Sequence, residues 1–160
     1  YRTDYFDSEN SLMSFNIYRA AVEAAVPRVI MASSVHADKF VDRASSNLLN
    51  PYSLPLPDSP YGAGKCTMES LGRYYANSKG LEVICVRFGG VNSKNVPPDA
   101  PYSERQVWLS HRDCANLISR CIDADEIPNN YSIIYGVSRN RDRMHDYTNP
   151  LGWEPQDGAL

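Results

Sequence analysis

Tyr61 and Lys65 stand four residues apart in SPYGAGKCTMESLGRYY, residues 59–75. On a helix that spacing stacks the two side chains on one face, about one turn apart. A tyrosine with an ordinary pKa of about 10 is a poor base at neutral pH, but a neighbouring ammonium stabilises the phenolate and brings it into use for proton transfer. Taken alone, the pair is a weak signal, because helices contain such pairs by chance. Upstream, MASSVH puts Ser33 and Ser34 at the end of an apolar run. A hydroxyl there can hydrogen-bond the substrate oxygen that a phenolate deprotonates, although serines in such places also cap loops.

Those residues need elements to hold them. Residues 8–25 carry Leu12, Phe15, Tyr18, Val22 and Ala25 at three- and four-residue intervals, the stripe of an amphipathic helix with Ser8 as its N-cap. RVIMAS, 28–33, is a short apolar run with β-branched members, which suits a parallel sheet covered on both faces. Residues 34–58, with Pro51, Pro55 and Pro57, have no sustained period and predict a long loop, read as a binding loop. Ser59 as N-cap, Pro60 at the first helical position and Gly80 at the far end bound the helix that carries Tyr61 and Lys65.

LEVICVRF, 81–88, is the next strand, followed by a Gly- and Pro-containing loop through about residue 106. Ser110 and Asp113 form a capping box for a helix whose Cys114, Leu117, Ile118, Cys121 and Ile122 share a face. YSIIYGVS, 131–138, is a final strand, and NPLGWEPQDGAL is a short terminal segment. This alternation is that of an α/β domain with a parallel sheet, in which ligands bind beyond the carboxyl ends of the strands. Both long loops leave from those ends.

Composition narrows the function classes. A chain of 160 residues is long enough for one ordinary domain with a sizeable core. The net charge of −3 and the scattered Lys and Arg offer no footprint for a nucleic-acid backbone. No apolar run approaches the roughly 20 residues of a membrane span, and YRTDYFDSEN is unlike a secretory signal, so no membrane partner and a cytoplasmic location are expected. Cys66, Cys85, Cys114 and Cys121 lack Cys-x-x-Cys spacing, which argues against a disulfide framework and a zinc site and for buried, reduced thiols; no metal is expected.

NSLMSFNIYRAAVEAAVPRVIMASSVH, LPLPDSPYGAGKCTMESLGRYYANSKGLEVICVRFGGV and VWLSHRDCANLI together resemble extended short-chain dehydrogenases/reductases of the NAD-dependent epimerase/dehydratase family. The resemblance covers nearly the whole chain. It implies a Rossmann-like, doubly wound parallel sheet and NAD as cofactor, with NADP left open. Tyr61 would be the general base, Lys65 would hold the cofactor ribose and depress the tyrosine pKa, and Ser34 would orient the substrate oxygen. Asn10 matches an asparagine that members often carry on the preceding helix, and it is equally well a polar residue at a helix start. Ala32, Ser33, Phe88 and Gly89 match positions near the nicotinamide.

Within the family, SSVH, RFGG, WLS and YGVSRN…LGWEPQD look most like uronate dehydrogenases and a related group of archaeal glucose-6-phosphate dehydrogenases, which oxidise the C1 hydroxyl of an aldose to a lactone. The expected partner is a small sugar. His36 would lie beside it, Arg105 would grip an anionic group bidentately, and Asn92 is a further substrate contact. As ordinary residues, His36 is a loop histidine and Arg105 a surface arginine. The short substrate-binding segments would be about 35–58 and 90–108. A homodimer through the helices bearing Asn10 and Tyr61 is implied by resemblance alone.

Two departures qualify the match. Uronate dehydrogenases commonly carry Asn where this chain has Val35, and the loop between Gly90 and Trp108 differs in length. A larger one is that no G-x-x-G-x-x-G or G-x-G-x-x-G stretch is present to cradle a pyrophosphate on a helix N-terminus; YGAGK and RFGGV have the wrong spacing. The chain is therefore expected to be the C-terminal part of a Rossmann domain without its first strands, binding a dinucleotide poorly by itself. The rival readings are a nucleotide-sugar epimerase or dehydratase using the same Ser, Tyr and Lys, and a non-catalytic interaction module. Little of the C-terminal subdomain that a nucleotide-diphosphate sugar needs follows Lys65, which favours a small free sugar.

Overall fold

The computed structural model describes residues 6–38, 48–99, 102–141 and 143–159. The sequence alternates as expected: α1 (Ser8–Glu23), β1 (Arg28–Ser34), α2 (Pro60–Lys79), β2 (Glu82–Phe88), a short α3 (Tyr102–Gln106), α4 (His111–Asp123) and β3 (Tyr131–Gly136). Among the described residues the strands form one parallel sheet in the order β1-β2-β3, with Ser34 opposite Phe88 and Phe88 opposite Gly136. Successive side chains of a strand face opposite sides, so each strand feeds two layers. Met31, Val83, Cys85 and Ile133 pack with Tyr18 of α1 and Met68 and Tyr75 of α2 on one face. Ile84, Val86 and Ile134 pack with Leu117 and Cys121 of α4 and Trp153 of the tail on the other. Helices on both faces of a parallel sheet make this a Rossmann-like, doubly wound fold.

The best-marked helix lies where its punctuation is strongest. Ser59 caps α2 by accepting the Gly62 N–H at 3.1 Å, Pro60 starts it, and Gly80 ends it in the left-handed region at φ 70°, where a side chain would be strained. At the base of the sheet Arg28 bridges three elements. It pairs with Glu82 across the strands at 2.7 Å and donates to the carbonyls of Cys121 and Ile122 at the end of α4, each at 3.0 Å.

Several expectations need correction. The N-cap of α1 is Asp7, whose carboxylate accepts the Asn10 N–H, and the helix ends at Glu23. Its buried stripe is Ser14, Tyr18 and Ala21, while Leu12 (60% exposed) and Phe15 face outward, because only a narrow strip of α1 meets the sheet and α2. The long loop opens with a 3₁₀ turn, Val35–Ala37, and the loop after β2 contains α3; residues 39–47 lie outside the described ones. Cys85 and Cys121 are buried, whereas Cys66 and Cys114 are only half-buried; all four are free. Burial pushes the Cys66 thiol up to about 11 and those of Cys85 and Cys121 up to about 12.

The capping box at α4 is only half built. Ser110 accepts the Asp113 N–H at 3.0 Å, but the buried Asp113 carboxylate does not return the bond. It takes the Ser138 hydroxyl at 2.6 Å and the backbone N–H groups of Gln156 and Asp157 at 2.8 and 3.1 Å, tying the tail to the end of β3. On α4, Leu117 and Cys121 are buried but Ile122 is exposed. Among the described residues no helix is long and apolar enough to cross a membrane. Asp113→Ala removes three bonds to one buried carboxylate and should lower unfolding stability by about 3 kcal/mol, with earlier exposure of Trp153, read by urea titration followed through tryptophan fluorescence.

Candidate active site

All three strands end at one rim, and the start of α2 packs against it. In the first two turns of α2, the Lys65 ammonium donates to the Ala32 carbonyl of β1 at 2.7 Å and lies 5.6 Å from the centre of the Tyr61 ring. The two side chains therefore share a face as the spacing predicts, and the lysine is held at the strand end. A cavity of about 220 Å³ opens there, lined by Asn10, Met13, Ala32, Tyr61, Lys65 and Met68 among others. The walls are largely apolar. Partial burial lowers the Lys65 pKa, and the negative field of Glu69 offsets part of that. Asn10 hydrogen-bonds Asp7 through both its backbone N–H, at 3.1 Å, and its side-chain amide, at 2.6 Å.

Ser34 ends β1 and caps the turn that follows, its hydroxyl oxygen accepting the His36 N–H at 3.2 Å. His36 in turn places Nδ1 2.9–3.0 Å from both oxygens of Asp58, one residue before the N-cap of α2. A carboxylate only accepts, so Nδ1 is the nitrogen that donates in this contact. The imidazole meets the Tyr61 ring edge-on at 5.7 Å between centroids. Gly62 makes the approach possible, since a Cβ there would lie 2.0 Å from the His36 carbonyl oxygen. Serine, histidine and tyrosine thus belong to one packed unit at the mouth of the sheet.

The remaining residues named from sequence are dispersed differently. Ser33 faces the opposite side from Ser34 and donates its hydroxyl to Glu69 at 2.5 Å. Phe88 lies beside Ser34 in register, and Gly89 continues the sheet by donating to the Gly136 carbonyl at 2.9 Å. Asn92 spends its amide within its own loop, donating to the Val96 carbonyl at 2.7 Å. Arg105 sits in α3; of the residues named from sequence the cavity is lined by Asn10, Ala32, Tyr61 and Lys65, and not by Ser33, Ser34, His36, Phe88, Gly89, Asn92 or Arg105.

Sequence reasoning passed over Asp58, Glu69, Arg87, Tyr135 and Asp38. Arg87 is fully buried in β2 and is gripped by Glu69 through two bonds of 2.8 Å. Burial pulls the Arg87 pKa down, and the Glu69 hydrogen bonds more than restore it, so the guanidinium stays charged. The signal was present: an arginine inside the apolar run LEVICVRF must meet an acid, and Glu69 falls one helical turn after Lys65.

With this geometry in view, residues 1–108 match the model of the NAD dependent epimerase/dehydratase family, and the chain belongs to that family. An NAD-dependent glucose-6-phosphate dehydrogenase of Haloferax volcanii is 33% identical over 157 residues, covering 89% of this chain and 58% of that protein. A uronate dehydrogenase of Agrobacterium fabrum is 31% identical over 152 residues, covering 94% and 54%. The solved structure of a uronate dehydrogenase variant from Agrobacterium tumefaciens complexed with NAD superposes with a TM-score of 0.79 at 30% identity, covering 91% of this chain and 53% of that one. The chain spans about half the length of these relatives.

Gly62→Ala forces a methyl group into the His36 carbonyl. It should cost about 1–3 kcal/mol of stability, overriding the gain alanine normally brings to a helix, with a lowered thermal midpoint as the readout.

Proposed function

We propose that the chain carries the chemical half of an NAD-dependent sugar dehydrogenase, in which Tyr61 takes the proton of a sugar C1 hydroxyl as the ring is oxidised to a lactone. The strongest support is the Lys65 ammonium, anchored on the Ala32 carbonyl and poised over the Tyr61 ring beside one cavity that Asn10 also lines. A cation at that range favours the phenolate over the phenol and gives the tyrosine a use near neutral pH. Names among the relatives point the same way, since they include dehydrogenases of glucose 6-phosphate, L-arabinose and uronate.

The residues present fit the nicotinamide end of a dinucleotide. Lys65 keeps N–H donors beyond the one given to Ala32, enough for ribose hydroxyls, and Phe88 and Gly89 extend the rim next to Ser34. Nothing in the chain offers a glycine-rich cradle for the pyrophosphate. Bound NAD would supply the hydride acceptor. Ser34, whose oxygen already accepts the His36 N–H, would donate its own hydrogen to the reacting sugar oxygen, and Tyr61 would accept that hydroxyl's proton. His36, held by Asp58, would face a neighbouring sugar hydroxyl. Arg105 and Asn92, carried by the 90–108 segment, would be the groups that meet an acidic substituent of the substrate. The partner is thus a small aldose or acidic sugar.

NADH formation by the protein as encoded in full, tested on glucuronate, galacturonate, glucose 6-phosphate and neutral aldoses, decides the matter. Tyr61→Phe should lower kcat at least about 100-fold while leaving quenching of bound-nicotinamide fluorescence intact. Cofactor binding without turnover of any free sugar would sink the proposal and favour an epimerase or dehydratase acting on an activated sugar.

A further inference from the structure

Ser33, Arg87 and Tyr135 occupy one row across the sheet, each opposite the next in the parallel register, one residue below the row that ends at Ser34. All three are buried; Glu69 of α2 meets Ser33 and Arg87, while Tyr135 packs with Val35, Val107, Val137 and Met144. Glu69 reaches down from α2 and joins two members of the row, accepting from Ser33 at 2.5 Å and from Arg87 at 2.8 Å twice. At the other end, Arg87 donates to the Tyr135 hydroxyl at 3.0 Å, and that hydroxyl donates to Asp38 at 2.8 Å. Asp38 is the residue that closes the 3₁₀ turn Val35–Ala37.

From this we infer that the Glu69–Arg87–Tyr135 row is a two-point clamp on residues 33–38, holding Ser33 at one end and Asp38 at the other so that Ser34 and His36 are fixed between them. Ser33, Glu69, Arg87 and Tyr135 are then positioning residues for the active site, although none of them lines the cavity. The inference rests on the role given above to Ser34 and His36. Its physical basis is that a short loop carries few bonds of its own, and this one has two inside it: the Ser34 cap on His36 and an Asp38 N–H to Val35 carbonyl bond of 3.1 Å. Beyond these, the segment is held by the buried row, by Asp58 on His36, by the Cys66 thiol on the Ala37 carbonyl at 3.3 Å and by the packing of Val35 with Val107, Val137 and Met144. A buried charged network is rigid because any displacement leaves a desolvated charge without its partner. Half an ångström at a catalytic hydroxyl matters more to turnover than to binding.

Substitutions that trim single hydroxyls test the clamp without stranding a charge. In the protein as encoded in full, Ser33→Ala and Tyr135→Phe should each speed amide hydrogen exchange of residues 33–38 about tenfold, while the amides of β2 stay within about twofold. kcat should fall about tenfold, with KM for sugar and affinity for NAD changed less than about twofold, and Ser33→Thr should recover both. Tyr18→Phe, which trims a buried hydroxyl bonded to the Met68 carbonyl, is the structural comparison and should move neither readout. Unchanged exchange of residues 33–38 in both variants overturns the clamp. Faster exchange with unchanged kcat overturns its positioning role. A wild-type protein inactive on every sugar defeats the proposed function instead, and the exchange measurement still decides the clamp.

Discussion

A single guanidinium placed inside an apolar strand sets the register of the whole rim. Arg87 has no access to water, so its charge must be met in place, and Glu69 meets it with both carboxylate oxygens. The helix bearing Glu69 is thereby fixed along its own axis. Sliding α2 by one residue, about 1.5 Å, would misalign both bonds and leave charges unpaired, a cost of several kcal/mol. Lys65 and Tyr61 stand one and two turns further toward the helix start. Their height above the strand ends is therefore dictated by an ion pair that neither of them touches. Such a pair adds little net stability compared with an apolar replacement, but it discriminates strongly between registers.

The same rim depends on backbone proximity. Gly62 lets α2 rest on the His36 carbonyl, and Gly89 lets the strand end run against the Val107 carbonyl, which a Cβ would meet at 1.9 Å. Any side chain at either place would push apart two segments of the rim. Close approach of this kind converts small residues into precise spacing, because main-chain atoms have no rotamers with which to yield. The Gly90 and Val107–Leu109 stretches are stitched together by bonds of 2.9 Å, extending the sheet beyond its last regular pair.

Local signals were legible in the sequence and distant ones were not. Ser59, Pro60 and Gly80 delimit α2 because capping is a matter of adjacent residues, and Tyr61 with Lys65 share a face because helical spacing alone ensures it. Ser34 was readable for the same reason, as the hydroxyl at a strand end. The buried side of α1 was misjudged, since Leu12 and Phe15 obey the helical period but the strip that meets the sheet is narrower than their stripe. Asp113 looks like a capping acid in sequence, yet its partners are Ser138 and the tail backbone, far along the chain. The His36–Asp58 contact and the row through Arg87 bind residues 22 and 18 to 97 positions apart, and no periodicity encodes such pairings.

Charge balance explains how the lysine can stay useful while half-buried. The network contains two carboxylates, Glu69 and Asp38, against one guanidinium, so it leaves an excess of negative charge beneath the site. Burial alone favours a neutral Lys65, and a neutral amine would do nothing for a phenolate. Glu69, one turn further along α2, opposes that tendency. The fourth charge of the cluster is thus the Lys65 ammonium itself, fixed at the strand end by the Ala32 carbonyl. The carboxylate that fixes the helix along its axis also opposes the downward shift that burial imposes on the lysine, so removing Glu69 would disturb position and electrostatics together. For that reason the uncharged ends of the row, Ser33 and Tyr135, are where geometry can be separated from electrostatics.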